Sequence, residues 1–435
     1  MSALLEQALA AARPRVQGRV TRVVGLNLEI DGLQLPIGAA VRVGGEYGDV
    51  VAEVVAVEDE GLVCMPLGEL RGVRAGDRAE AAQGSTSVPV GRQLLGRVLD
   101  GLGRPIDGGA SLHHLPHVNV DHRAPHPLTR RMIDEPLPLG VRALDTLVPC
   151  GRGQRMGIFA GSGVGKSTLL SMITRGTEAP VTVLALVGER GREVREFIEN
   201  DLGPEGLARA VVVVATSDQP ALVRLRAAFT ATRIAESFRD EGLDVLLLMD
   251  SLTRFSMAQR EVGLSAGEPP ATRGYPPSVF AMLPRLLERA GASDRGSITG
   301  LYTVLVEGDD LLDPIGDASR AILDGHIVLS RALATAGHYP AIDVLESVSR
   351  VGPAVTTPEQ RAAATVTRQL LAAYREAKDL IEIGAYVEGT NPVVDRAVAC
   401  KEAMDGFLRQ DMYEVTPAPD AWAWLERLVG GEPSP

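Results

Sequence analysis

The segment 160–167, which reads AGSGVGKS, constrains the fold of this chain more than any other stretch of its sequence. It follows an apolar, strand-like run at 156–159 and precedes a helical run at 168–174, which is the context of a phosphate-binding loop. Its glycines let successive backbone N–H groups point at phosphate from a helix N-terminus, where peptide dipoles favour negative charge. We therefore predict a P-loop in which Lys166 reaches the β- and γ-phosphates and the Ser167 hydroxyl binds Mg²⁺. The other residues expected at the nucleotide are Gly161, Ser162, Gly163, Val164, Gly165 and Thr168.

Apolar runs alternate with helical segments between residues 89 and 354, as they do in an α/β domain with a mainly parallel sheet. The runs 181–187, 211–215 and 245–249 are almost continuously apolar. Such runs are typical of strands that are covered on both faces. We predict that residues 89–354 form a RecA-like ATPase domain around this sheet.

The segments that flank this domain have different patterns. Residues 16–88 contain short β-branched runs broken by glycine, which predict a closed β-barrel in an N-terminal domain, 1–88. Residues 2–12 have the spacing of a short amphipathic helix, which either packs on the barrel or binds a partner. Residues 355–435 predict a C-terminal helical domain. The predicted fold class is α/β: a RecA-like P-loop core with an N-terminal β-barrel and a C-terminal helical domain.

Composition narrows the classes of partner. The net charge of −12 and the pI near 5.2 give no basic footprint for phosphate-backbone binding, so nucleic acid is disfavoured as a partner. The three cysteines have no metal-ligand spacing, which predicts reduced thiols rather than a disulfide framework or a zinc site. No stretch approaches the length of a membrane-spanning helix. We expect a cytoplasmic protein whose membrane association is peripheral and passes through partners.

Acidic residues end two of the apolar runs. Asp250 ends the run 245–249 and is predicted to hold Mg²⁺ through water. Glu189, in Gly-Glu-Arg after the run 181–187, is a candidate to polarise the attacking water, because α/β sheets bind ligands at the carboxyl ends of their strands. Spacing alone fits a solvated loop acid equally well. Arg190 either contacts phosphate or pairs with a neighbouring acid.

Longer motifs extend the pattern beyond the P-loop. They are DSLTRF at 250–255, PPATRGYPPSVF at 269–280, VEGDDLLDP at 306–314, ILDGHIVLSR at 322–331 and HYPAIDVLESVSRV at 338–351. Together they resemble the catalytic subunits of rotary ATPases and the type III export ATPases. Within that superfamily, FAGSGVGKS, ILDGHIVLSR and EIGAYVEG (382–389) resemble the flagellum-specific ATPase of the type III export apparatus. The injectisome ATPase of virulence secretion is the nearest alternative, and a rotary proton-ATPase subunit is a more distant one.

The resemblance implies roles for matched positions. It implies that Glu189 is the catalytic carboxylate, that Asp250 supports Mg²⁺ and that Tyr339 stacks on the adenine of ATP. It also implies that Arg350 is an arginine finger that a neighbouring subunit points at the γ-phosphate, where it neutralises transition-state charge. With Lys166 and Arg190, these residues form the predicted catalytic set.

This chain carries both Glu189 and Arg350. Each copy can therefore supply the glutamate of one active site and the arginine finger of the active site on a neighbouring copy. Because that arrangement is heterologous and closes only as a ring, we predict a homohexamer with composite sites. The resemblance implies further partners: a stator-like regulator at the N-terminal helix, and a coiled-coil stalk protein, the export gate and chaperone–substrate complexes at the C-terminal domain. Two alternatives from other classes are a nucleotide-holding subunit without turnover and a ring-helicase type nucleic-acid motor.

Overall fold

The computed structural model describes residues 16–82, 87–306 and 313–430. The predicted helix at 2–12 and most of the 306–314 motif therefore lie outside the described residues. The first part of the described chain forms a closed barrel in the strand order β1-β2-β5-β4-β3-β6. Its strands are β1 Gln17–Val24, β2 Asn27–Asp31, β3 Ala40–Val43, β4 Val50–Glu58, β5 Gly61–Pro66 and β6 Arg78–Ala81. The predicted barrel is confirmed.

A short two-stranded sheet, β7 Ser87–Pro89 with β9 His117–Asn119, separates the barrel from the main sheet. Among the described residues, the main sheet has the order β17-β16-β10-β15-β13-β11-β12-β8, with β14 paired to β15. Its strands are β8 Val98–Asp100, β10 Arg155–Ala160, β11 Val181–Glu189, β12 Ala210–Thr216, β13 Asp244–Asp250, β14 Gly291–Ala292, β15 Ser297–Leu305, β16 Gly325–Leu329 and β17 Ile342–Ser349. The strands from β16 to β8 pair in parallel, whereas β17 runs antiparallel to β16.

Helices cover both faces of the main sheet, which explains why its central strands are apolar throughout. They are α1 Lys166–Gly176, α2 Gly191–Glu196, α3 Gly203–Ala208, α4 Ala221–Asp240, α5 Leu252–Ser265, α6 Pro277–Leu287, α7 Pro314–Ile322, α8 Arg331–Thr335, α9 Pro358–Glu382, α10 Pro392–Leu408 and α11 Ala418–Gly430. Alternate residues of β11 enter opposite cores: Val183 packs in the core with α4, α5 and α6, and Leu184 in the core with α1 and the C-terminal helices. This is the alternation expected of a strand between two layers.

The C-terminal helices begin and end where local sequence signals place them. Thr357 and Gln360 form a capping box in front of Pro358, the first residue of α9. The Asn391 side chain caps α10 by accepting from the N–H groups of Val393 and Val394. Both helices agree with the helical domain predicted after residue 355. In the part of the chain that the structure describes, no helix has the length and apolar character needed to cross a bilayer.

Buried polar contacts fasten the C-terminal helices to the main domain. Arg142 is buried, donates to the carbonyl oxygen of Phe407 and lies 4.8 Å from the ring centroid of Trp424. The Gln410 side chain accepts from the Arg142 N–H at 2.9 Å and donates to the Gly140 carbonyl oxygen at 2.8 Å. Because buried polar groups of this kind are costly to leave unpaired, the loop after α10 is held in one position on the main domain.

Candidate active site

The phosphate-binding loop joins β10 to α1, as the sequence predicts. β10 ends at Ala160 and α1 begins at Lys166, with Gly165 as its N-cap. Gly163 and Gly165 have φ angles of 76° and 92°, a left-handed region that favours glycine. The loop therefore leaves the N-terminal N–H groups of α1 open toward an anion.

Lys166 lies between the two acids that the sequence singles out. Its Nζ is 2.6 Å from Asp250 Oδ1 and 3.4 Å from Glu189 Oε1. Glu189 ends β11 and Asp250 ends β13, and these parallel neighbours in the sheet end at the same edge. The sheet thus brings three predicted residues together although they are far apart in the sequence.

Thr303 is a member of the cluster that sequence reasoning missed. It is buried in β15, between β10 and β13, and its Oγ1 donates to Asp250 Oδ1 at 2.7 Å. The Thr303 hydroxyl and the Lys166 ammonium contact the same oxygen of Asp250, so both hold its carboxylate in place. The second threonine in the run SITGLYTVL was the available signal, and it is weak because threonine is common in strands.

Burial and charge act against each other in this cluster. Burial raises the pKa of the Glu189 carboxyl, the charge of Asp250 raises it further, and Lys166 offsets only part of this effect. For Lys166, burial lowers the pKa of the ammonium, but the nearby Asp250 and Glu189 outweigh it, so that the net pKa is raised. Lys166 is therefore held as a cation, and Glu189 takes up a proton more readily than an exposed glutamate does.

The residues present suit a magnesium ion. Ser167 is exposed in the first turn of α1, next to the residue that contacts Asp250, and a hydroxyl with a carboxylate is an oxygen donor set of the kind Mg²⁺ prefers. Such an ion keeps several waters and binds through one or two protein oxygens together with substrate phosphates. Ser167 and Asp250 are the residues that would hold it.

Tyr339 lies against the phosphate-binding loop of its own chain. A Cβ added to Gly165 would be 3.1 Å from Tyr339 Cε1, so the ring lies on the glycine face of the loop. The tyrosine is 41% exposed, so that part of the residue remains accessible to a ligand. Its carbonyl oxygen accepts from the Gln410 N–H at 2.9 Å, a link to the C-terminal domain that no sequence signal indicated.

Arg190 directly follows Glu189 but has a mostly exposed side chain, whereas Arg350 lies away from the cluster around Lys166. The Arg190 guanidinium donates to Glu193 Oε1 at 2.9 Å and its side chain is 77% exposed. Arg350 is exposed, and its Nη2 donates to the Arg320 carbonyl oxygen at 3.3 Å. The role of Arg190 at phosphate stays a prediction.

Strand direction determines where Arg350 lies. Because β17 is antiparallel to β16, its last residue, Ser349, pairs with Gly325 at the start of β16. The Arg350 N–H donates to the Asp324 carbonyl oxygen, and Asp324 in turn contacts Arg155, the first residue of β10. The P-loop follows the other end of β10, and a strand of six residues separates its ends by about 17 Å. Arg350 and the P-loop of one chain therefore lie at opposite edges of the sheet.

Two family models match the chain. Residues 140–349 match the ATP synthase alpha/beta family, nucleotide-binding domain, and residues 356–427 match the T3SS EscN ATPase C-terminal domain. The first range contains the P-loop, both acids, Tyr339 and β17. The second covers most of the C-terminal helices.

Curated proteins and a solved structure are similar over nearly the whole chain. The flagellum-specific ATP synthase of Bacillus subtilis is 51% identical over 418 residues, 95% of each chain. The type 3 secretion system ATPase of Sinorhizobium fredii is 51% identical over 416 residues, 95% of this chain and 92% of its own. The assembled ATPase EscN in complex with its central stalk EscO, from the enteropathogenic E. coli type III secretion system, superposes with a TM-score of 0.88 at 45% identity, over 95% of this chain and 100% of that one.

Proposed function

This chain belongs to the family of flagellum-specific ATP synthases and type III secretion ATPases, and we propose that it forms a homohexameric ring that hydrolyses MgATP to energise the export of flagellar proteins. The observation that carries the proposal is the separation, within one chain, of the Lys166–Glu189–Asp250 cluster from Arg350. Each copy holds the two halves of a hydrolytic site at opposite edges of its sheet, so that only another copy can bring the halves together.

ATP binds with its phosphates on the N-terminal N–H groups of α1. Lys166 then turns from the carboxylates to the β- and γ-phosphates, whose negative charge keeps its ammonium protonated there. Magnesium, when bound at Ser167 and Asp250, supplies further positive charge to the phosphates. Tyr339 offers its accessible part to the adenine.

Glu189 orients the attacking water in line with the γ-phosphate. Its carboxylate lies 3.4 Å from the Lys166 ammonium, hence beside the place where the terminal phosphate binds. Because the catalysis of phosphoryl transfer is mostly positioning and charge stabilisation, a fixed carboxylate at this point and a cation opposite it are what the reaction requires. Arg350 of the neighbouring copy supplies the cation that responds to transition-state charge.

The export role draws on the relatives. The solved EscN ATPase is an assembly bound to its central stalk. By analogy, we propose that a coiled-coil stalk protein, the export gate and chaperone–substrate complexes meet the C-terminal domain of this chain, that a stator-like regulator meets its N-terminus, and that the ring works in the cytoplasm at the membrane-bound export apparatus.

ATP hydrolysis by a ring is tested by measuring phosphate release from the purified chain as a function of protein concentration. Sedimentation velocity on the same samples reports assembly. We expect specific activity to rise as the hexamer forms. Glu189→Gln should bind nucleotide as tightly as the wild type and lose about 10²–10⁴-fold in turnover. Activity that is flat with concentration from a chain that stays monomeric would contradict the ring, and normal turnover by Glu189→Gln would contradict the role of that residue.

The export substrate needs a separate test, because flagellar and secretion relatives are equally identical to this chain. We favour flagellar export because of the segments FAGSGVGKS and DPIGDASRAILDGH. The chain is expressed in a motile bacterium that lacks its own flagellar export ATPase, with Glu189→Gln as the inactive control. Restored filament growth supports the flagellar role. Restored secretion of virulence effectors in an injectisome mutant, without filament growth, would assign the chain to the other system.

A further inference from the structure

The two most exposed large hydrophobic side chains of the described residues lie four positions apart in the segment 127–132, which precedes β10 and the P-loop. Leu128 is 90% exposed and Met132 is 84% exposed. We call these two residues the docking strip. Isolated exposed hydrophobic residues are common, but two such residues four positions apart on one segment can both contact the same partner.

The segment is fixed to the domain by arginines, so that the strip is presented in one position. Arg130 Nη1 donates to the Ala290 carbonyl oxygen at 2.8 Å, and Arg131 Nε donates to the Ser293 carbonyl oxygen at 3.0 Å. Pro127 begins a short 3₁₀ turn directly before Leu128. A surface held in this way loses little entropy when a partner binds it.

The strip is continuous with the segment that carries the arginine finger. Ile133, next to Met132, packs against Gly151: a Cβ there would be 2.4 Å from Ile133 Cγ2, 3.2 Å from Val351 and 3.1 Å from Val355. Val351 follows Arg350 directly. One shared contact therefore joins the docking strip to the finger segment.

Both features also lie at one edge of the sheet. Ser293, which accepts from Arg131, lies just ahead of the first residue of β15, and Arg350 lies beside the first residues of β16. Since β15 and β16 both pair in parallel with β10, their starts mark the same edge, which is opposite to the nucleotide edge. Any molecule that receives Arg350 approaches this edge.

We propose that the docking strip binds a second copy of this chain, the copy whose nucleotide site receives Arg350, and thereby seats the finger. The inference rests on the ring of the proposed function and assigns its contact residues. A second copy is favoured over a membrane surface because the strip is small and shares a contact with the segment that carries Arg350, and that segment must meet another copy in the proposed ring. Methionine and arginine, present here as Met132 and Arg350, are both enriched in protein–protein interfaces.

The test compares Leu128→Ser/Met132→Ser with Arg350→Ala and with Ile383→Ser. Ile383 is a matched control, because it is an aliphatic side chain that is 75% exposed, in the C-terminal domain rather than at the finger edge. Assembly of each full-length variant is measured by sedimentation velocity over a range of protein concentrations, with Mg²⁺ and a non-hydrolysable ATP analogue. Thermal unfolding and phosphate release are recorded on the same samples, and each single serine variant is measured as a second variant.

We expect the double serine variant to unfold like the wild type but to need at least about tenfold more protein for half-assembly, with activity recovering as the concentration rises. Arg350→Ala should assemble normally and stay inactive, and Ile383→Ser should match the wild type in both respects. Normal assembly of the double serine variant and of both single variants would overturn the role of the strip and leave the ring intact. A wild type that never assembles would instead overturn the ring, and the strip with it.

Discussion

Mixing two inactive variants should restore ATP hydrolysis, because Glu189 and Arg350 of one chain lie at opposite edges of its sheet. In a ring, each site takes its glutamate from one copy and its finger from the next copy. When Glu189→Gln and Arg350→Ala subunits mix at random in equal amounts, a site is intact only if an Arg350→Ala copy supplies the glutamate and a Glu189→Gln copy supplies the finger. The chance of that arrangement is one half multiplied by one half, so the mixture should reach about a quarter of wild-type activity if sites turn over independently.

The assay is steady-state phosphate release at constant total protein, after the variants are mixed at a concentration at which they are dissociated and are then assembled with MgATP. Each variant alone should be at least about 10²-fold slower than the wild type. If f is the fraction of Arg350→Ala copies, activity should follow f(1 − f) and peak at equal amounts. Wild type mixed with Arg350→Ala is the matched control and should give a straight line, since every glutamate is intact and only the supply of fingers changes.

The shapes of the two activity curves distinguish a site shared between copies from a site completed within one chain. A mixture that stays at the activity of its inactive parents would refute the shared site, provided that sedimentation shows mixed rings. A finger that acted within its own chain would give that flat result. It would also require Arg350 to bridge the length of β10, about 17 Å, which contradicts the strand order.

Three further predictions concern single groups. Because burial and Asp250 raise the pKa of Glu189, the deprotonated form that orients water is lost at a higher pH than for an exposed glutamate. The acid limb of the pH profile of kcat/KM should therefore lie above about pH 4.3. A limb at or below that value would contradict this effect of burial and charge. Tyr339→Phe should keep the KM for ATP within about twofold, and Tyr339→Ala should raise it about tenfold with a smaller change in kcat; loss of binding of inorganic tripolyphosphate as well would point to a misfolded loop. Glu236→Gln leaves the buried Arg289 without a charge partner and should lower the free energy of unfolding by about 3–5 kcal/mol in urea titrations. Burial acts to raise the pKa of Glu236, but Arg289 holds it at about 2. The stabilisation is therefore present above about pH 4.3 and should fade as the pH falls toward 2.

The sequence predicts those parts of the site that depend on strand ends. Glu189 and Asp250 each follow an apolar run, and parallel strands bring their carboxyl ends to one edge, so the pattern predicts that both acids lie at the edge where the P-loop binds nucleotide. Their contact with Lys166 also requires that β11 and β13 are neighbours in the sheet, which the structure shows. The helices α9 and α10 are likewise predictable, because proline and capping residues mark where they begin.

Contacts between distant segments could not be predicted in this way. Thr303 contacts Asp250 only because β15 lies between β10 and β13, and strand order is not written in the periodicity of any one strand. Gln410 reaches the Tyr339 carbonyl from another domain, and Arg130 reaches Ala290 across 160 positions. Such bonds depend on tertiary packing, which local propensity does not encode.

In the proposed ring, the reversed direction of β17 makes the rate of hydrolysis depend on the local concentration of subunits. If Arg350 acts on the neighbouring copy as proposed, a copy alone in dilute solution binds ATP without a complete hydrolytic site, and ATP is hydrolysed only after copies assemble. Since the number of complete sites rises more steeply than the number of copies, ATP hydrolysis begins abruptly where the local concentration of subunits becomes high. An export apparatus that recruits these subunits would thereby switch them on, without any modification or dedicated inhibitor.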